Sequence, residues 1–444
     1  RANEFDIDLI ITDHHKIPDI KLDIFALIHP ERSPYNSPYK YLAGVGIAYM
    51  LANNICKYLS FDINCTSADV LFCIGTIADM APLIGANRKW LKYCMPKIKY
   101  TDNPAIKTII KKLSIENIDI SSDVIGYKIA PLINAVGRIG DPKIVINLLT
   151  NSSTKSINQL TKELFAMNNK RKKLTALIEK EAIVIASDEF NNNRKFLVIY
   201  KKEWHTGVIG IVAARVVDKF NLPTAIISQA DDGLFRGSIR SNSKLKVNLA
   251  LDECKDLLIS HGGHSAAAGF TIKEENINRL KEKLNNIAIR EFKNCNLDRS
   301  INPDAYLHIK DININFYSEL LLLGPFGMCN KAPLFWTRKC RIVNIYKLKG
   351  NHAKMRLDDG TGIIDAIKWN YSSNLKINEL IDVAFHIEIN YWKKVKTLQL
   401  NIVDIKKYHK IIDLQLHKRL YKCQISDDKK IQITNSQGQF IRSE

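Results

Sequence analysis

No apolar run in the 444 residues is long enough to cross a membrane as a helix, and no secretory-signal pattern is visible near Arg1. The nine cysteines include no Cys-x-x-Cys pair, which excludes the spacing of a zinc ribbon and argues against a disulfide framework. Reduced thiols in a cytoplasm fit this pattern, with Cys56, Cys73, Cys254 and Cys340 in apolar, core-like surroundings. Gly44-Val45-Gly46 lacks the third glycine of a dinucleotide-binding turn and reads as helix packing. Acidic residues are scarce: 46 Asp and Glu face 65 Lys and Arg, a net charge of +19. A polyanion, nucleic acid above all, suits that surplus, although an AT-rich gene would enrich Lys, Asn and Ile to similar effect. The excess leans toward the end of the chain, with 23 basic against 14 acidic residues over 301–444.

Against that background one stretch stands out. Asp6-Ile7-Asp8-Leu9-Ile10-Ile11-Thr12 reads as a buried strand of a parallel sheet, and it stops at Asp13, His14 and His15. Ligands of open α/β sheets gather beyond the carboxyl ends of the strands. Carboxylate oxygen with imidazole nitrogen suits Mn²⁺, Mg²⁺ or Zn²⁺; plain polar capping of a strand end is the alternative. A second apolar strand or helix, Val70–Ile77, passes a Gly75-Thr76 turn signal and ends at Asp79. Two acidic termini in one α/β unit predict a shared metal site.

The remaining chain alternates strands and helices before changing character. Phe25–Pro30 predicts a strand, Leu42–Leu51 a helix, and Ile133–Pro142 a glycine-bearing loop whose Arg138 suits a phosphate or a surface salt bridge. Residues 155–187 read as one long connecting helix with a solvated charged face. A second α/β unit follows, with strands at Phe196–Tyr200 and Pro223–Ile227 and a helix at Val208–Val217. Its Phe235–Ser241 strand alternates Arg236, Ser238 and Arg240. Gly262-Gly263-His264 precedes small residues that read as a helix start with amides facing a phosphate; a structural histidine is the other reading. Five short strands over 340–405, with a hairpin turn at Asp358–Gly362, suit a small oligonucleotide-binding barrel. Tyr391, Trp392, Lys393, Lys394 and Lys396 interleave stacking faces and cations as single-strand binding requires; an amphipathic strand with a basic edge would look the same.

In order, Asp13-His14-His15, Gly75–Asp79, Asn134–Arg138, Trp204–Gly210 and Gly262-Gly263-His264 resemble the motifs of the DHH phosphoesterases. The chain is most similar to their RecJ branch, single-strand-specific 5′→3′ DNA exonucleases. The resemblance implies an α/β fold: two α/β domains (DHH over 1–152 and DHH-associated over 188–295) joined by a long helix over 153–187. An oligonucleotide-binding β-barrel over 300–410 and a tail over 411–444 follow. It implies catalytic roles for Asp13, His14, His15 and Asp79, with Asp13, His14 and Asp79 as ligands of Mn²⁺ or Mg²⁺, two ions in a complete site. Substrate contacts are implied for Arg138, His205, Arg236, Ser238, Arg240, Ser241, Gly262, Gly263 and His264. The implied setting is DNA repair and recombination in the cytoplasm: a monomer on single-stranded DNA, alongside a single-stranded-DNA-binding protein and a helicase, with no membrane.

Two departures accompany it. The family's acidic motifs lie upstream of the Asp-His-His strand, and only twelve residues precede Asp13, so a catalytically incomplete DNA-binding fragment is the competing expectation. A DHH oligonucleotide phosphodiesterase is the third, which the terminal barrel disfavours. The family's Gly-Asn-Pro segment stands here as Cys329-Asn330-Lys331, which bears on loop geometry.

Overall fold

The computed structural model describes residues 2–17, 23–61, 66–242, 245–293, 301–350, 352–371, 374–392, 395–408, 411–416, 419–425 and 430–442. The chain divides into two units, Arg1–Ser300 with Pro325–Asn330, and Ile301–Gly324 with Lys331–Glu444.

In the first unit, β1 (Ile10–Thr12) runs parallel to β2 (Ala26–Ile28), with Ile10 opposite Ala26 and Thr12 opposite Ile28. The expected burial of this strand does not hold. Ile7, Leu9 and Ile10 are 57%, 38% and 53% exposed. A parallel strand is buried when strands flank it and helices cover both faces; among the described residues β1 pairs only with β2.

The rest of this region is helical: α1 (Gly44–Tyr58), α2 (Thr66–Ala78), α3 (Gly85–Cys94) and α4 (Pro104–Lys112). Of the two readings of Val70–Ile77, helix is the observed one, and Gly75 is an interior helical residue rather than a turn. A Cβ there would come within 2.8 Å of Val45 Cγ1, so the glycine permits close approach of α1 and α2. Tyr49, Phe72 and Trp90 pack ring on ring between α1, α2 and α3. The short α5 (Ser122–Val124) runs through a π turn (Ile125–Ile129) into α6 (Ala130–Ile139), followed by α7 (Lys143–Thr150). The segment expected to be a loop is therefore helical through Ile139. Leu132, Ala135 and Val136 bury one face of α6 at helical spacing, while its polar residues face the other way.

Helix α8 (Thr154–Asn191) is longer than expected and serves two cores. Its early residues Ile157 and Leu164 belong to the helical core, whereas Ile178, Ala182 and Ala186 belong to the core of the following sheet. Between them the buried positions turn polar, at Asn168 and Thr175.

That sheet comprises β3 (Leu197–Tyr200), β4 (Thr224–Gln229), β5 (Phe235–Arg240), β6 (Leu258–Gly263) and β7 (Ala267–Ile272), in the order β3-β4-β5-β7-β6. Helices α9 (Ile209–Phe220), α10 (Val247–Asp252) and α11 (Ile277–Phe292) accompany it. Only β3 and β4 are parallel. Gly262–Phe270 is a hairpin rather than a helix start. The His264 amide donates to the Ala267 carbonyl at 2.8 Å, and Gly262 and Gly269 sit opposite each other as bare backbone.

In the second unit, β8 (Ala305–Tyr306) and α12 (Ile314–Leu322) precede a barrel of β9 (Phe335–Leu348), β10 (His352–Asp358), β11 (Ile363–Lys368), β12 (Leu380–Trp392) and β13 (Val395–Lys407). It closes because β9 pairs with both β10 and β12, and β11 pairs in parallel with β13. The alternation seen in the sequence is the alternation of burial: Ala353, Met355 and Leu357 point inward.

Residues 411–444 are not a tail. β14 (Ile411–Leu416), β15 (Arg419–Ile425), β16 (Ile431–Asn435) and β17 (Phe440–Arg442) form an antiparallel meander. Pairings Cys423–Ile433–Ile441 and Leu414–Tyr421 put apolar residues on one face, and Lys422–Thr434–Phe440 lie on the other.

The bridging segment Pro325–Asn330 belongs to the first unit, against the expected continuous barrel domain over 300–410. The Leu83 amide donates to the Met328 carbonyl at 2.7 Å, and the Gly327 amide to the Asn330 carbonyl at 2.9 Å. Cys329 has φ +61°, a left-handed conformation that costs a side-chain-bearing residue about 1–2 kcal/mol. The glycine that the resemblance implies at this place would adopt that conformation without strain. Cys329→Gly is expected to stabilise the protein by about 0.5–1 kcal/mol, after the entropy a glycine loses on folding. Chemical denaturation of both proteins checks this; a lowered midpoint would contradict it.

Candidate metal and anion site

The residues expected to ligate a metal stand at the end of β1. Asp13 Oδ1 accepts the His14 amide at 2.7 Å, the His15 amide at 3.3 Å and His15 Nδ1 at 2.8 Å. This tight turn leaves Oδ2 without a hydrogen bond among the described residues. His29, buried behind the turn, accepts the Glu31 amide on Nδ1, so its Nε2–H donates to the His15 carbonyl at 2.7 Å. The sequence reading missed His29; its only signal is the position one residue past β2.

Ligand atoms of Asp13, His14 and His15 all lie within 4.8 Å of one another. Asp79, at the end of α2, brings Oδ2 to 3.8 Å from His14 Nδ1. The four residues implied to be catalytic thus stand together. Two carboxylates and two imidazoles, with no thiolate, form a donor set that fits Mn²⁺ or Mg²⁺. Gly44, at the start of α1, adjoins this group: a Cβ there would lie 3.8 Å from His14 Cδ2.

Helix α6 links this acidic and imidazole-bearing cluster to a second feature. Asn134 donates to the carbonyl of Ala78, next to Asp79, at 3.2 Å. One turn further on, Arg138 lines a cavity of about 420 Å³ with Thr206, Gly207, Gly210, Arg236, Ser238 and Arg240. No carboxylate is among the lining residues. Arg240 Nη1 donates to Ser238 Oγ at 3.2 Å and to the Ile239 carbonyl at 2.8 Å. Burial, then the charge of Arg138, pushes the pKa of Arg240 below the usual guanidinium value. Arg236 is held by Asp232 at 2.6 Å through Nη2, while its Nη1 is buried without a partner among the described residues. Ser228, the cross-strand neighbour of Arg236, also buries a hydroxyl without a partner among the described residues. Unpaired buried donors beside clustered cations describe a place for an anion. Helix α9 begins here, its first turn uncapped by any side chain, so its amides and dipole add to that preference.

Two glycines make this packing feasible. A Cβ at Gly207 would fall 2.0 Å from the Arg138 carbonyl oxygen, and one at Gly210 would fall 2.8 Å from Ser238 Oγ.

Other predicted residues lie outside the cavity lining. His205 caps the turn before α9, accepting the Gly207 amide on Nδ1 at 3.0 Å. Ser241 donates its hydroxyl to the Asn242 carbonyl at 2.6 Å. Gly262 and Gly263 are on β6, the sheet's edge strand, and His264 is exposed at the hairpin tip. In the second unit Tyr391 is exposed on β12, with Lys396 Nζ 5.4 Å from its ring centroid. Trp392 ends β12, pairing with Val395, and Lys393 and Lys394 lie outside the described residues.

The hydrogen bond from His15 above all holds the Asp13 carboxyl down at about 2. His15→Ala is expected to raise that titration toward the usual aspartate value of 3.8 in metal-free protein. Carboxyl-carbon NMR against pH measures it, and an unmoved midpoint would show that His15 is not the cause.

Comparison with known proteins agrees with this architecture. Residues 193–289 match the family model described as the DHHA1 domain, and residues 303–404 the one described as the RecJ OB domain. The chain is 30% identical over 409 residues to the single-stranded-DNA-specific exonuclease RecJ of Bacillus subtilis, covering 91% of itself and 51% of that protein. It is 27% identical to the protein of the same name from Escherichia coli, covering 91% and 74%. The crystal structure of RecJ in complex with Mn²⁺ from Thermus thermophilus superposes with a TM-score of 0.79 at 25% identity, covering 91% of this chain and 59% of that one. The chain therefore spans about half the length of its Bacillus relative. With its oligonucleotide-binding barrel, DHH-associated sheet and RecJ-like backbone, it is a RecJ-like DHH protein.

Proposed function

We propose that this chain is a metal-dependent exonuclease that degrades single-stranded DNA 5′→3′ and releases mononucleotides, in DNA repair and recombination. The observation that carries the reading is helix α6. It touches the Asp79 end of α2 through Asn134 and presents Arg138 to the anion cavity four residues on, about 6 Å along the axis. That step is comparable to the spacing of neighbouring phosphates along one strand. A terminal 5′-phosphate in the cavity would leave the next phosphodiester near Asp13, His14 and Asp79.

Each group then has a task. Arg138, Ser238, Arg240 and the first-turn amides of α9 bind the terminal phosphate and fix the register of the strand. Asp13, His14 and Asp79 would hold Mn²⁺ or Mg²⁺. A divalent ion bound there supplies Lewis acidity toward a phosphoryl oxygen. Asp13 remains ionised because its Oδ1 is saturated with donors, which leaves Oδ2 for ligation. The open backbone at Gly262 and Gly269 lets a strand lie close to the sheet. The barrel supports long strands over very short ones, with Tyr391 offering a stacking face and Lys396 a cation. Two ions in the complete site, a cytoplasmic monomer, and work beside a helicase and a single-stranded-DNA-binding protein belong to the same reading.

The test uses 5′-phosphorylated single-stranded DNA with Mn²⁺. Asp79→Ala is expected to reduce mononucleotide release by about 100-fold or more while leaving strand binding nearly intact. Equal loss of both would sink the metal-site assignment. Turnover confined to di- and trinucleotides would favour an oligonucleotide phosphodiesterase instead. Binding should also weaken steeply with salt, log affinity falling by about 0.7 per log unit of salt for each phosphate contacted.

A further inference from the structure

Solvation alone does not require the charges of α8 to be sorted by face, yet they are. At about 100° per residue, Lys162, Lys173 and Lys180 lie within about 20° of Lys155 around the helix axis. All four are exposed, opposite the buried positions Ile157, Leu164, Thr175 and Ala182. From Lys155 to Lys180 they mark a straight stripe about 38 Å long. No carboxylate stands three or four residues from any of them. The nearest acids along the chain, Glu163, Glu179 and Glu181, each lie about 80–120° off the stripe. Two of these are engaged elsewhere: Glu179 pairs with Arg215 on α9, and Glu181 accepts from Lys201 and from Trp204, both at 2.8 Å. Carboxylates of the helix thus secure neighbouring elements and leave its outward lysines without counter-charge on their own face. Gln159, near the start of the stripe, also lines a cavity of about 380 Å³ with Asn147, Thr150, Asn151 and Ser156. Hydroxyls and amides of this kind suit phosphate and sugar oxygens.

We propose that the outer face of α8 is a docking surface for the phosphate backbone of double-stranded DNA. Its length is about one turn of a B-form duplex, and rigid, evenly charged backbone is what a straight row of cations complements. Single-strand binding also calls for faces on which bases stack. The stripe offers none: Phe165 lies about 80° away, half-buried, with Lys112 Nζ 4.7 Å from its ring centroid. A duplex keeps its bases stacked inside and presents its phosphates to such a surface. Leu177 and Val184, exposed toward the far end, are single apolar residues of the kind common on protein surfaces. Helix α8 turns its buried side to α6 and α9, which carry the candidate site, so the stripe and the anion cavity face different ways. A strand in the cavity and a duplex on the stripe therefore do not compete. The surface favours single-stranded ends that continue into paired DNA. It does not depend on the exonuclease reading, and failure of either leaves the other standing.

The experiment measures affinities of the full chain in EDTA, across a salt series, for two probes. One is a blunt duplex of about 20 base pairs with 5′-hydroxyl ends, the other a 5′-phosphorylated single strand of the same length. The stripe variant combines Lys155→Gln, Lys162→Gln, Lys173→Gln and Lys180→Gln, which keeps helix propensity. A control combines Lys57→Gln, Lys89→Gln, Lys255→Gln and Lys273→Gln, exposed positions elsewhere in the first unit, for the same change of charge. The stripe variant is expected to lose duplex affinity at least about 30-fold near 0.1 M salt. It should also flatten the plot of log affinity against log salt by about 3, at about 0.9 per phosphate contact. Its affinity for the single strand should change less than about threefold, with an unaltered melting temperature. The scattered control should lose less than about threefold on the duplex. Unchanged duplex binding in the stripe variant would overturn the proposal, and so would an equal loss in the control, which would show that bulk charge suffices. An equal loss on the single strand would refute it by making the stripe part of the strand path. If the fourfold variant does not fold, the two doubles, Lys155→Gln with Lys162→Gln and Lys173→Gln with Lys180→Gln, give the same reading at about half the slope change each. Absence of duplex binding by the unmodified protein at low salt would dispose of it outright.

Discussion

A side chain of any size at position 207 would overlap the carbonyl oxygen of Arg138. That contact brings the end of α6 against the turn that starts α9, and the candidate site depends on it. Through it, a helix bonded to Ala78, next to Asp79, reaches a cavity whose other walls come from the start of α9 and from β5. The acidic, imidazole-bearing cluster and the guanidinium-lined cavity become two stations on one helix. Their opposite electrostatics suit the two ends of one job. Oxygen and nitrogen donors gather at the first, and guanidinium groups at the second.

The cores explain why these pieces stay in place. Phe72, Ile98, Ile106 and Ile125 fill the helical region, and Phe196, Phe235 and the Val208–Val216 face fill the sheet region. Both cores draw on α8, which contributes apolar side chains at its two ends and polar ones at Asn168 and Thr175. At that break Asn168 accepts two hydrogen bonds from the Arg171 guanidinium, which an apolar side chain would not offer.

Legibility in the sequence followed the range of the interactions. Asp13-His14-His15 was readable because a strand end is a local feature, and Arg236, Ser238 and Arg240 because alternation has a period of two. The barrel strands and the long helix were visible for the same reason. What escaped depended on partners distant in sequence. Gly75 resembled a turn because nothing nearby announces Val45, which it packs against. The polar face of α6 resembled a loop because its partners, Ala78 and Gly207, are 56 and 69 residues from Asn134 and Arg138. Gly262-Gly263-His264 carries glycines that suit a helix start or a hairpin equally, and pairing with β5 through β7 decides it. The strands after residue 410 are short and were hidden by interspersed polar residues, which prove to be the second face of a sheet.

Helix α8 also limits how this chain can change length. Each residue added to an α-helix rotates everything beyond it by about 100° and advances it by about 1.5 Å. Because Leu164 and Ile178 are locked in different cores, a single-residue insertion between Asn168 and Thr175 would turn one core against the other. It would also carry β5 and its arginines out of phase with Arg138. Insertions in the exposed turn at Asn192–Asn193 carry no such penalty. Length variation among related chains should therefore collect after the helix, with the stretch from Leu164 to Ile178 kept at constant length.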